Sequence, residues 1–138
     1  MSAIPLIKDI FDKPAKLTVV SRYTTVNGFI YLGVGVLLIV WPGAVQTLFR
    51  EAAFIGHEEG LIRALGLTVV VIGWLYLFGG YANARQFAAA SVFDRLVFVP
   101  IVLVPLAMVG VFPRMLLSFA VLDATLAIGA WVLLDRKG

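Results

Sequence analysis

The chain has 138 residues, 62% of them hydrophobic and only 14% charged, with a net charge of +3 and no cysteine. Soluble domains run at about 45–50% apolar and about 25% charged, so this composition excludes an ordinary water-soluble globule. The lack of cysteine excludes disulfides, thiolate metal sites and cysteine nucleophiles, and the basic residues flank apolar runs, which argues for membrane orientation rather than nucleic-acid binding.

At the N-terminus, Ile4, Ile7 and Phe11 recur at helical spacing with Ile10 beside them, while Lys8, Asp9, Asp12 and Lys13 lie off that stripe. The pattern predicts a short amphipathic helix over residues 3–12 that lies on a membrane surface and ends at Pro14. The segment has no signal-peptide core, so no cleavage is expected.

Four apolar spans follow, at about 25–41, 61–84, 91–112 and 115–134. A helix needs about 20 residues to cross a bilayer, and the first span reaches that length if it begins near Arg22. The fold class is therefore an all-α membrane protein, one domain over 1–138, with four transmembrane helices in an antiparallel bundle. Pro42-Gly43 stops the first span. Residues 44–60 form the longest connection, in which Val45, Leu48, Phe49 and Ala52 suit a second interfacial helix. A connection of about two residues joins the last two spans, which makes them antiparallel neighbours. Pro100 and Pro105 each remove a backbone hydrogen bond from the third span and are expected to kink it.

An even number of spans puts both termini on one side. That side collects Lys8, Lys13, Lys16, Arg22, Arg85, Arg95, Arg136 and Lys137, against Arg50, Arg63 and Arg114 on the other. The bias predicts cytoplasmic termini. Small residues indicate where helices pack. Gly66, Gly73 and Gly80 recur every seven residues on the second span, and Gly28 and Gly35 do so on the first. On the fourth span Ala120, Ala127 and Ala130 share an arc that also holds Asp123.

Asp123 is the candidate of greatest interest, because a carboxylate inside an apolar span is costly and needs a partner, a proton or a task. It lies ~12 Å from the outer end of its span. Arg63 is the partner considered, on a helical face shared with Leu67, Val70, Trp74 and Tyr81. Glu59, four residues before Arg63, is a local competitor for the same guanidinium. Either Asp123 and Arg63 form a ligand or proton site, or Asp123 is structural, as half of an ion pair or as a protonated donor to a backbone carbonyl. A second polar group gathers Tyr23, Asn27 and Tyr31 on the first span with Tyr81, Asp94 and Arg95 on the next two. It reads either as the lining of a cavity open to the cytoplasmic leaflet or as an interfacial aromatic belt with a snorkelling Arg95. His57-Glu58-Glu59 holds the only histidine, and adjacent residues do not converge on a helix, so no metal site is read there. Ser91 and Ser118 lack a base, and no catalytic or cofactor motif is present.

Pro42 after the first span, Glu59-x-x-x-Arg63-Ala64-x-Gly66 opening the second, Arg95 opening the third and Asp123 inside the fourth form a layout. It resembles the small bacterial four-helix membrane proteins of the DoxX-like group and related domains of unknown function. The resemblance implies a bacterial inner-membrane protein, at most accessory to redox or lipid enzymes, and carries no residue-level activity. The chain differs from small multidrug exporters, whose essential glutamate lies in the first span. The leading functional reading is a non-catalytic integral membrane protein that binds a lipid-like or apolar molecule or a membrane partner, self-associating or accessory to a complex, with no cofactor. The alternatives are a small proton-coupled transporter using Asp123 and a membrane-embedded isomerase-type enzyme.

Overall fold

The structure, a computed structural model, describes residues 3–11 and 16–136. The chain is helical, with no strand among the described residues, and it is an all-α membrane protein. Helix α1 is Ala3–Phe11. Helix α2 is Val19–Val40, α3 is the single short helix Ala44–Phe49, and α4 is Glu58–Tyr81. Helices α5, Arg85–Met108, and α6, Pro113–Asp135, complete the bundle. Four of these, α2, α4, α5 and α6, are long and apolar enough to cross a membrane. On α1 the exposed Ile4 and Ile7 fit the surface helix read from the sequence. The proposed stop at Pro14, with Asp12 and Lys13, lies outside the described residues.

The spans begin and end where local chemistry dictates. Thr18 caps α2, its Oγ1 accepting the Ser21 N–H at 3.2 Å, as a threonine at this position does to satisfy an orphan donor. The Asn83 side chain accepts the Thr18 N–H at 3.1 Å and so ties the α4–α5 turn to the start of α2. The first span thus starts several residues before position 25, and the third starts at Arg85 rather than 91. The third also stops at Met108 rather than 112. The reason is Gly110, which takes φ +92° while its N–H bonds to Ala107 O at 3.0 Å and that of Val111 to Leu106 O at 3.0 Å. That pair of bonds is the Schellman ending, which a left-handed glycine permits.

Helices α2 and α4 pack most intimately. A Cβ on Gly73 would lie 2.5 Å from Leu32 N and 2.8 Å from Gly28 O, and one on Gly35 would lie 2.6 Å from Val70 N and 2.7 Å from Gly66 O. Gly80 meets Ser21 O and Thr25 at similar distances. The glycine stripes therefore face each other and let two backbones touch. In a bilayer, where lipid is as apolar as leucine, such close packing replaces the hydrophobic effect as the source of association.

Helices α5 and α6 form the second pair, and both pack against α2. One core cluster, at the end bearing the 44–60 loop, contains Leu38, Val45, Ile62, Ala107, Met115 and Leu116. A second, at the end bearing the termini, contains Val20, Ala88, Val92, Ala130 and Leu134. Helix α3 contributes its buried Ala44 and Val45 to the bundle and leaves Leu48 exposed. Arg85 Nη2 donates to Leu134 O at 2.7 Å and closes the last turns of α6.

Replacing Gly73 by leucine should destabilise the fold by about 1–3 kcal/mol, the usual cost of overpacking. Gly33→Ala is the matched control, because a Cβ there meets nothing within 4 Å. Thermal unfolding in detergent should show a lower melting temperature for Gly73→Leu and an unchanged or raised one for Gly33→Ala. Equal melting of Gly73→Leu and the wild type would contradict the α2–α4 packing.

Candidate functional site: a cavity with a polar end

Between the two core clusters the four spans enclose a cavity of about 320 Å³. It exists because α4 and α5 approach each other near the turn that joins them and not along their whole length. There Phe87 packs on Gly79 and, edge-on at 5.4 Å, on Tyr76. Beyond that point α5 leaves α4, while it packs on α6 along its whole length. Leu65, Val69 and Ile72 of α4 then face Val99 and Leu103 of α5 across the space, with Leu116 and Phe119 of α6 closing it. The rim residues Thr68, Ile72, Phe98 and Val102 are exposed, so the cavity opens sideways between α4 and α5, toward the lipid.

One end of this apolar space is polar. Tyr31, Tyr76, Asp94, Arg95 and Asp123 meet there. The Tyr31 hydroxyl donates to Asp123 Oδ1. The Tyr31 and Tyr76 rings contact edge-to-face at 5.2 Å. Arg95 lies over the Tyr76 ring, 5.1 Å from Cζ to the centroid, well within cation–π range. Its Nε donates to Ser91 O and its Nη2 to Ser91 Oγ, both at 3.1 Å. Every spanning helix thus contributes a side chain to one connected cluster.

The backbone of α5 explains how Arg95 comes to be inside. Residues Asp94–Phe98 form a π-helical turn, with the Val99 N–H bonded five residues back to Asp94 O. Pro100 follows immediately. Proline has no N–H to offer the Leu96 carbonyl, and its ring crowds that carbonyl. The widened turn accommodates this, as π-turns commonly do at functional sites. Pro105 is carried within the helix without interrupting it. Arg95 lies about ten residues into α5, ~15 Å along the axis, and is 2% exposed. It does not snorkel to the surface. The sequence placed it at a helix start because the polar Arg85-Gln86 looked like part of the loop.

Asp123 turns toward protein, on the side of the buried Ala120, Ala127 and Ala130, but its bonded partner is Tyr31. Arg63 is elsewhere. It donates to Glu59 at 3.4 Å and to Ile39 O, at the loop end of the bundle. The helical face that carries Arg63, Leu67 and Trp74 points outward, with Leu67 58% and Trp74 48% exposed. Trp74 packs on Phe78, and Phe78 on Tyr81, as an aromatic stripe outside the cavity. Of the second polar group, Tyr31, Asp94 and Arg95 line the cavity. Tyr23 donates to Leu126 O at 2.9 Å. Asn27 is 1% exposed one turn from Tyr31, and neither its Oδ1 nor its Nδ2 has a hydrogen-bond partner. Tyr76 escaped the sequence reading. The signal was present, since it lies three residues after Gly73 and four before Gly80, on the inward glycine face. Among the described residues no three His, Asp or Glu side chains converge as a metal site would require.

Comparison of the chain with known protein families, with curated proteins and with solved structures finds no match in any of the three.

The Tyr31–Asp123 bond carries its own test. Tyr31→Phe leaves a partly buried carboxylate without its donor and should cost about 1–3 kcal/mol of stability. In double-mutant cycles on unfolding free energy, Tyr31→Phe with Asp123→Leu should show coupling of that order, and Arg63→Met with Asp123→Leu none. The opposite pattern would restore Arg63 as the partner of Asp123.

Proposed function

We propose that the protein binds, without catalysis, a lipid-like amphiphile that enters its cavity sideways from the bilayer. The carrying observation is the cavity itself. It is apolar over most of its wall, polar at one end and open between α4 and α5 at membrane depth. Sites for small apolar ligands are concave spaces of about 300–1,000 Å³ with a few convergent polar groups, and this one falls within that range. The apolar wall suits a hydrocarbon chain, and the Tyr31–Asp123–Arg95 end suits a head group.

The same proposal places the chain in a bacterial inner membrane, as the resemblance to the DoxX-like group implies, with both termini cytoplasmic. Basic-residue bias supports that orientation. With Arg95 inside the bundle, seven basic residues remain on the side of the termini against Arg50, Arg63 and Arg114 on the other. Reporter fusions after Gly138 and at Gly56 check it. The expected result is a cytoplasmic C-terminus and a periplasmic loop, and the reverse pattern would overturn the orientation.

Photolabelling checks the ligand site. Hexadecyl chains carrying a diazirine, with different end groups, are presented to the protein in lipid nanodiscs. At least one should label peptides containing Val99, Leu103 or Leu116, and excess unlabelled compound should compete. Val69→Trp, which fills the cavity from the α4 wall, should abolish that labelling and leave labelling of the outward Trp74 face intact. Labelling that Val69→Trp does not change would show ordinary lipid contact and overturn the proposal.

A further inference from the structure

Arg95 is a buried cation whose hydrogen bonds are incomplete. Nε and Nη2 bond to Ser91, and the guanidinium lies over Tyr76. Nη1 has no partner, although the residue is 2% exposed and lines the polar end of the cavity. A buried N–H left without an acceptor is unfavourable, the more so on a charged group. The nearby acids do not resolve it. Asp123 takes the Tyr31 hydroxyl, and among the described residues the ion pair is that of Arg63 with Glu59.

The charges around Nη1 restrict what can complete it. Asp94, Arg95 and Asp123 share the cavity's polar end, so two carboxyl groups stand beside one guanidinium. An anionic head group would bring its charge against Asp94, and against Asp123 whenever that carboxyl is ionised, and like charges at close range in a low-dielectric site repel strongly. A cationic ammonium head would have the two carboxyl groups beside it, but it has no lone pair and would leave Nη1 without an acceptor. An uncharged oxygen avoids the repulsion and gives Nη1 an acceptor. Depth points the same way. The site lies ~15 Å along α5 from its terminal-side end, near the middle of the hydrocarbon, where moving a charge is expensive and moving a carbonyl or hydroxyl is much less so.

Resting on the reading of the cavity as a lipid-like ligand site, we propose that its ligand is a single-chain amphiphile with an uncharged oxygen head, a carbonyl or a hydroxyl, whose oxygen accepts a hydrogen bond from Nη1 of Arg95. A hydroxyl head would in addition have Asp123 within the same cluster to accept its hydrogen bond. The chain lies along Leu65, Val69, Val99 and Leu103, and its far end leaves through the gap between Thr68 and Ile72 on one side and Phe98 and Val102 on the other. This assigns the polar end to head-group selection and the apolar wall to chain binding.

The test compares diazirine-bearing hexadecyl chains that differ only in the head: alcohol, carboxylic acid, phosphate monoester, and plain hydrocarbon. Labelling of cavity peptides in the wild-type protein should favour the alcohol by about tenfold over the hydrocarbon, the order expected for a hydrogen bond to a charged donor, and the acid and phosphate should label more weakly than the alcohol. Arg95→Met should remove the preference of alcohol over hydrocarbon while hydrocarbon labelling persists. If the acid or phosphate labels best, the site is an anion site and the proposal falls, although the cavity still binds amphiphiles. Equal labelling by alcohol and hydrocarbon would show that no head is recognised and would also overturn it. If no chain labels the cavity, both this proposal and the reading beneath it fail. The order among heads is measured on the wild-type protein, so the result stands even if Arg95→Met does not fold.

Discussion

Close contact between the α2 and α4 backbones sets the geometry of everything else in this molecule. With glycine at positions 28, 35, 66, 73 and 80, the two helices approach until the space for a Cβ disappears. No side chain larger than hydrogen fits at those crossings, so α2 and α4 form one closely packed pair. Helices α5 and α6 then pack against α2. Since α4 is drawn tightly to α2, it is held away from the later turns of α5. The cavity follows from that asymmetry: one pair of helices packs on hydrogen, and the other on alanine and larger side chains such as Leu116, Ala120, Ala127 and Leu134.

The polar cluster depends on a second, more local constraint. Pro100 cannot continue the hydrogen-bond pattern of α5, and the preceding π-turn resolves the conflict. The widened turn places Asp94 and Arg95, adjacent in sequence, on the same cavity wall. Tyr31 and Tyr76 then serve opposite sides of the cluster. Tyr31 donates to the carboxylate, while Tyr76 offers its ring face to the cation. The two rings touch, so a shift of either one is felt at both Asp123 and Arg95.

Much of this architecture was legible in the sequence, and the parts that were not share a physical cause. The four spans, the N-terminal helix and the packing role of the glycines all follow from hydropathy and residue size. The inward turn of Asp123 followed from its alanine neighbours. What failed was the choice of face on α4. In a soluble helix the polar side marks solvent, but here lipid and protein interior are equally apolar. Leu67 and Trp74 therefore look no different from residues at a core, although they face outward. Only the glycines distinguish the faces, and taken further they would have identified Tyr76. The Tyr31–Asp123 pairing joins residues far apart in the chain and depends on how helices dock, which no local pattern encodes. Arg95 was misplaced in depth because its helix starts at Arg85, and a polar helical turn resembles a loop.

If the cavity holds a lipid-like ligand, as proposed, the sideways opening between α4 and α5 changes what the site has to achieve. A molecule arriving through that gap comes from the membrane, where an amphiphile is concentrated far above its level in water. High affinity is then unnecessary for occupancy. The difficulty is competition, because acyl chains of bulk lipid stand at the same opening in large excess and fit an apolar wall equally well. Each tenfold of preference over them requires about 1.4 kcal/mol, and hydrocarbon contacts alone supply none of it. On the proposed reading, selectivity therefore comes from the few polar atoms at the inner end, a cluster held by four helices and one π-turn.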